Sequence, residues 1–156
     1  MVLVGLQGSG KSTFFTERLA ATHAHVSKDL MRHAHNRERR QQELVTAALA
    51  EGRSIVVDNT NLTPELRKAL IEIGHGAGVP VVAYYFKAKL GSCLERNRTR
   101  IGRARVPDWV IAVASRRLKP PTPEEGFDAI FQVNLGLDGA FEVTPVWEAP
   151  GPGAQE

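Results

Sequence analysis

The chain has 156 residues, 42% of them apolar, which is enough for one compact domain with its own core and too little for a motor ATPase with accessory domains. No apolar run approaches the ~18 residues of a membrane span, and the N-terminus lacks the charged and apolar regions of a secretory signal, so a cytosolic protein with no membrane partner is expected. The formal net charge is +3, and Cys93 is the single cysteine, which excludes an internal disulfide and a cysteine zinc site.

Val2 to Val4 reads as a short buried strand, and it runs straight into Gly5 to Thr13, G-L-Q-G-S-G-K-S-T, the pattern of a phosphate-binding loop. Gly5, Gly8 and Gly10 open backbone conformations closed to other residues, so successive N–H groups can converge on phosphate oxygens. Lys11 then brings a compact positive charge to the β- and γ-phosphates. Ser12 offers a hydroxyl to Mg²⁺, and the helix starting there adds its positive dipole end. Gly8, Ser9, Gly10, Lys11, Ser12 and Thr13 are therefore nucleotide-binding candidates, with ATP and Mg²⁺ as the expected ligands.

The helix opened by Lys11 is expected to reach about Ala21, with Phe14, Phe15 and Leu19 as its apolar positions. His25 to Ser27 reads as a second strand, ending at Lys28 and Asp29. Leu30 to Glu51 is charged and mostly helical, stopped by Gly52. Ser54 to Asp58 is a β-branched strand. Thr63 caps the next helix, Pro64 takes its first position, and Leu66, Ala69, Leu70, Ile73 and Ala77 repeat at helical spacing. A strand over Val79 to Phe86 and a helix from Leu90 to about Ile101 follow, with Cys93 placed beside Leu90 and Leu94 as a packed thiol. Pro107 opens another helix ending before Pro120. Ala129 to Val133 forms a strand, and Phe141 to Trp147 adds one more after the Leu137-Asp138-Gly139 turn. Residues 1–148 thus read as one domain, followed by a tail from Ala149 to Glu156 that is expected to fray.

Alternating strands and helices imply a parallel sheet covered on both faces, with ligands at the carboxyl ends of the strands. That rule brings Asp29, the run Asp58-Asn59-Thr60-Asn61 and the phosphate loop to one edge. Phosphoryl transfer requires an acceptor held in line, a metal and positive charge on the transferring group. Asp29 can aim an acceptor hydroxyl and receive its proton, or it can cap the segment that begins at Leu30. Arg32, one helical turn on, would share its face and hold a substrate phosphate. Asp58 either reaches Mg²⁺ from the end of a strand or forms an Asp-Asn turn.

Arg96, Arg100 and, if the helix persists, Arg103 fall along one stripe, which is either a lid over bound nucleotide hinged near Gly102 or a solvated face. Between Lys87 and Lys119 ten Lys or Arg stand against Glu95 and Asp108, a local +8 that suits a polyanionic substrate. The pairs His23/His25 and His33/His35 do not suit a metal. Two-residue spacing places a helical pair on opposite faces, and no carboxylate or cysteine accompanies either pair at ligand spacing.

The phosphate loop, S-K-D-L-M-R at Ser27 to Arg32, D-N-T-N-L-T-P-E-L-R at Asp58 to Arg67, E-R-N-R-T-R at Glu95 to Arg100, V-P at Val106 and Pro107, and E-G-F-D at Glu125 to Asp128 occur in that order. The ordered set resembles the kinase domain of the 5′-hydroxyl polynucleotide kinases, over roughly Met1 to Phe131. The resemblance implies an adenylate-kinase-like P-loop NTPase fold, a three-layer α/β/α domain with a central parallel sheet. It also implies transfer of the ATP γ-phosphate to a 5′-hydroxyl end of DNA or RNA, as in nucleic acid end repair. By it, Lys11, Asp29 and Arg100 are catalytic, Asp29 as general base and Arg100 as the lid arginine on the donor phosphates. Arg96 joins the nucleotide contacts, Arg32 meets the phosphate 3′ to the acceptor hydroxyl, and Asp58 and Asn61 lie on the substrate side, with Ser12 and Asp58 at the metal.

Two departures stand out. The chain has no room for the phosphatase domain of phage and animal relatives, so 3′-end healing is not expected. One or two extra residues between Arg100 and Pro107 leave Arg98, Arg100 and Arg103 as alternatives for the lid. Two other functions fit the same motifs: a kinase of a small molecule such as a nucleoside, sugar or antibiotic, and a non-catalytic ATP-binding module.

Overall fold

The structure, a computed structural model, describes residues 1–151. Strand β1 (Val2–Val4) is buried along its whole length and lies in the middle of a six-stranded sheet. It pairs in parallel with β3 (Ile55–Asp58) on one side and β4 (Val82–Phe86) on the other. β2 (Ala24–Val26) extends the sheet beyond β3, and β5 (Ala129–Leu135) extends it beyond β4, also in parallel. The order is β2-β3-β1-β4-β5, with one further strand beyond β5. The last strand, β6 (Phe141–Glu148), is antiparallel. A tight turn explains that reversal: Gly136 N–H donates to Ala140 O at 2.9 Å and Ala140 N–H to Asp138 Oδ1 at 3.0 Å, and so short a connection can join only antiparallel neighbours.

Alternate residues of the central strands serve opposite faces, as the strand period of two requires. Val2, Val4, Ile55 and Val57 pack with Val45 and Ala48 of α2 (Arg37–Ala50) and with Leu70 and Ile71 of α3 (Pro64–Gly76). Leu3, Val56, Phe86 and Val133 meet Phe14, Phe15 and Leu19 on the other face. These three come from α1 (Lys11–Phe14), which continues as π-wound helix over Phe15–Leu19. A third cluster joins Leu6 and Leu62 to Cys93 of α4 (Leu90–Arg98) and to Ile111 and Ala114 of α5 (Asp108–Arg117). Cys93 is thus the packed thiol its neighbours imply, and burial pushes its pKa up.

Three expectations about elements are corrected. The charged stretch after β2 is not helical from Leu30: a 3-10 turn (Lys28–Leu30) is followed by irregular chain, and α2 starts only where Asn36 accepts from Arg39 N–H at 3.0 Å. α3 buries Arg67, Leu70, Ile71 and Gly74, so its inner face is turned by one residue from the apolar repeat, leaving Leu66 and Ala77 exposed. α4 ends at Arg98 because the buried Asn97 captures Val106, donating to its carbonyl at 2.6 Å and accepting from its N–H at 3.1 Å. Residues 99–106 are thereby looped back. Of the expected tail, Ala149 N–H donates to Asp128 O at 2.8 Å, and residues 152–156 lie outside the described residues.

Candidate active site

The carboxyl ends of β1, β2 and β3 carry the phosphate loop, the Lys28–Leu30 turn and the Asp58 to Asn61 run to one edge. Close approach explains two of the loop glycines. Gly8 has φ +79°, and a Cβ there would stand 2.6 Å from the Cys93 carbonyl; Gly10 has φ +101° at the N-terminus of α1. Gly5 N–H donates to Thr60 O at 3.0 Å and Arg96 Nη1 to Gly8 O at 2.7 Å, so the turn after β3 and α4 both hold the loop in place.

Lys11 is 7% exposed, and its Nζ donates to the carbonyls of Gly5 at 2.8 Å and Leu6 at 2.7 Å. Burial pushes its pKa down to about 8, with Asp58 pulling the other way and Arg100 adding to the depression. No carboxylate touches it among the described residues. Nearby, Gln7 Oε1 and Ser9 Oγ are buried without a hydrogen-bond partner. A buried ammonium with one N–H to spare, the orphaned Ser9 hydroxyl and a glycine cradle together form a site with donors open to an anion.

Asp58, 5% exposed at the end of β3, accepts at Oδ2 from Ser12 Oγ at 2.8 Å and lies 3.0 Å from His25 Nε2. The His25 ring stacks on Phe15 with centroids 4.1 Å apart. This carboxylate is anchored on both sides, and the Ser12–Asp58 pair is the oxygen donor set that fits Mg²⁺ beside a triphosphate.

Asp29 is exposed, and its side chain makes no hydrogen bond or ion pair among the described residues. The capping alternative for it falls: Ser27 caps the turn, its Oγ accepting from Asp29 N–H at 3.3 Å. Asp29 shares a cleft of about 690 Å³ with Ser12, Leu30, Arg32, Arg37, Asn59, Leu66, Arg100 and Arg103. The turn carrying it is tied down by neighbours. Asn59 Oδ1 accepts from Lys28 N–H at 2.9 Å, Asn59 Nδ2 donates to Gln41 Oε1, and Lys28 Nζ pairs with Glu38 of α2. A second cavity, of about 350 Å³, lies at the opposite ends of the strands around Met1, Ile55 and Val81, away from this chemistry.

Other residues fall differently from their expected places. Asn61 lines the same cleft and also serves as scaffold: its φ is +46°, and its Nδ2 donates to Leu3 O at 2.7 Å, which holds the turn against β1. Arg96 supports the loop by donating from Nη1 to Gly8 O, and its other N–H groups make no hydrogen bond among the described residues. The arginine stripe is broken because α4 ends at Arg98, yet Arg100 and Arg103 reach the cleft from the looped-back segment. Arg98 leaves the set of lid alternatives, since it pairs with Asp108 at 3.1 Å.

Sequence reading missed the polar scaffold under the site. Arg67, fully buried, binds Glu125 through Nε–Oε1 at 2.6 Å and Nη2–Oε2 at 2.7 Å, while its Nη1 donates to Asn61 O at 2.9 Å and Lys119 O at 3.0 Å. Both residues belong to the ordered motifs, which was the available signal. An arginine read against a leucine repeat gives no hint that it points inward. Gln41 and His25 carry no signal of their own.

Residues 1–121 match the AAA_33 family, described as an AAA domain. Over 137 residues the chain is 27% identical to the bifunctional polynucleotide phosphatase/kinase of Schizosaccharomyces pombe, covering 85% of this chain and 33% of that protein. It is 29% identical over 106 residues to transcription factor bHLH140 of Arabidopsis thaliana, covering 65% of this chain and 12% of that one. The chain therefore spans a third or less of the length of these relatives. Among solved structures it resembles a gluconokinase from Sinorhizobium meliloti (TM-score 0.60, 20% identity, 85% of this chain and 80% of that one). It also resembles a sugar kinase from Janibacter (TM-score 0.63, 16% identity, 85% and 83%), likenesses that establish the fold. No helix among the described residues is long and apolar enough to cross a membrane. The chain belongs to the AAA_33 family of AAA domains and has the α/β fold of the P-loop kinases.

Proposed function

We propose that this domain is an ATP-dependent kinase that transfers the γ-phosphate to a 5′-hydroxyl end of DNA or RNA. The observation that carries the reading is the unpartnered Asp29 carboxylate, set in the same cleft as Ser12, Arg32 and Arg100. A carboxylate left unpaired among arginines is available to an incoming group, whereas a scaffold carboxylate such as Glu125 is already saturated.

Lys11 leaves the Gly5 and Leu6 carbonyls to follow the β- and γ-phosphates, which restores the charge its burial disfavours. Ser12 and Asp58 are the residues that would hold Mg²⁺, which would supply charge neutralisation at the triphosphate when bound. Asp29 orients the acceptor hydroxyl by accepting its hydrogen bond. As the new P–O bond forms and the bond to the leaving diphosphate breaks, the hydroxyl proton passes to the Asp29 carboxylate. Arg100 or Arg103 neutralises charge on the transferring group, and Arg32 holds the first phosphate 3′ to the acceptor. The local +8 charge of the 87–119 segment and the likeness to the fission-yeast polynucleotide phosphatase/kinase favour a polynucleotide acceptor.

Incubation with labelled ATP, Mg²⁺ and, in separate arms, a 5′-hydroxyl oligonucleotide, a nucleoside 3′-monophosphate and a nucleoside tests the proposal. Label on the oligonucleotide, with an apparent affinity that falls steeply as salt rises, is the expected result. Transfer to the nucleoside alone, indifferent to salt, would replace it with a small-molecule kinase; tight ATP binding without transfer to any acceptor would leave only a nucleotide-binding module.

A further inference from the structure

Beyond the cleft, α5 presents a surface the phosphoryl-transfer chemistry does not use. Ile111 and Ala114 face the core, and the opposite side carries Trp109 and Val113, one helical turn apart and 68% and 45% exposed. Arg116 and Arg117 stand one further turn along that side. Just before the helix, the looped-back segment adds Arg103 and Arg105. None of these four arginines has an ion pair among the described residues, while Asp108, the one acid on α5, is occupied by Arg98.

Trp109 and Val113 leave an apolar surface with a flat ring open to a ligand on a face that also carries unpaired arginines, and arginines alone would serve any polyanion. The combination matches a ligand that carries both phosphates and accessible flat apolar rings. Single-stranded nucleic acid has that chemistry; a duplex hides its base faces within the stack, and an acidic polypeptide lacks them. The position fits as well. Arg103 and Val106 line the acceptor cleft, Pro107 follows, and α5 runs on from there, with Trp109 and Arg116 roughly 10 Å apart along its axis at ~1.5 Å per residue.

We infer that the outer face of α5 is a track for the single strand downstream of the acceptor end, with an unpaired base stacked on Trp109 and its flanking phosphates held by Arg105, Arg116 and Arg117. The inference rests on the polynucleotide reading and adds to it a binding surface outside the cleft. It makes the enzyme prefer a single-stranded acceptor several nucleotides long over a mononucleotide or a blunt duplex end.

Two measurements test it, one needing turnover and one not. For Trp109→Ala, KM for a 5′-hydroxyl oligonucleotide of about ten nucleotides should rise roughly tenfold, within the range of one lost base–aromatic stack, with kcat and the KM for a nucleoside 3′-monophosphate unchanged. Trp109→Phe should recover most of the loss. In parallel, anisotropy of a labelled single strand should report weaker binding for Trp109→Ala. Quenching of tryptophan emission by the strand should disappear in that variant, which retains only Trp147.

Normal KM and undiminished binding in Trp109→Ala would overturn the track while leaving the kinase reading intact. Binding that falls in Arg116→Glu/Arg117→Glu but not in Trp109→Ala would likewise overturn it, and would point to a polyanion that does not stack. Trp109-dependent binding with no transfer to any oligonucleotide would support the track and sink the kinase reading instead.

Discussion

Among the described residues two cationic side chains are buried, Arg67 and Lys11, and their surroundings are opposites. Arg67 lies beneath the site with every nitrogen satisfied: a bidentate carboxylate from Glu125 and two backbone carbonyls. Lys11 lies at the site with only the carbonyls of its own loop and no touching carboxylate. The first arrangement closes on itself and fastens α3 to the segment before β5. The second leaves a charge whose pKa is pushed down to about 8, so an arriving anion satisfies what folding did not. Burial of a cation is therefore uninformative by itself; the presence or absence of a partner separates scaffold from site.

That contrast can be broken by substitution. Lys11→Ala should lower turnover by several powers of ten while leaving the melting temperature unchanged or raised, since it removes an unmatched buried charge; single-turnover transfer and thermal unfolding read the two effects. Loss of the fold in that variant would erase the distinction from Arg67. Asp29→Ala should cost about 10²- to 10⁴-fold in kcat with ATP affinity retained, as equilibrium nucleotide binding beside steady-state kinetics will report.

For Arg67→Ala the damage should be to stability, about 3–5 kcal/mol by urea unfolding, because Glu125 is left buried and unpaired. The paired change Arg67→Met/Glu125→Leu should recover much of that loss, which an active-site role for Arg67 would not allow.

A smaller effect follows from the Lys11 titration. Bound triphosphate favours the ammonium, so the bound pKa lies above the free value of about 8. At pH below 8 the free protein is already protonated and affinity is flat; above 8 each molecule must take up a proton to bind, and affinity falls by up to tenfold per pH unit. Calorimetry in buffers of different ionisation enthalpy should detect that uptake at pH 9 and none at pH 7. The smallest effect is expected at Arg98. Its ion pair with Asp108 is surface-exposed, so Arg98→Ala should change stability by less than about 1 kcal/mol and leave transfer unaltered, unlike Arg100→Ala.

Much of the donor side was legible in the primary structure because its requirements are local. A glycine-rich loop between a buried strand and a helix must turn sharply, and Lys11, Ser12 and Asp58 lie where strand ends and spacing put them. The alternation of strands and helices likewise implied the parallel sheet, although the reversal of β6 depended on a turn only five residues long. The side that carries Asp29 was less legible. The turn carrying Asp29 is fixed by Asn59, Gln41 and Glu38, which are remote from it or unremarkable in sequence. Asn61 and Arg96 also bond Leu3 O and Gly8 O, a scaffold role that no motif announces.

By itself, then, the amino-acid order determined the fold class, the phosphate loop and which side chains reach the carboxyl edge of the sheet, since these follow from periodicity and from backbone conformations open to few residues. Tertiary structure alone decided which polar groups are already satisfied. Arg67 and Lys11 differ in the partners that packing brings from elsewhere in the chain, and hydrogen-bond saturation is a property of three-dimensional neighbours rather than of residue type.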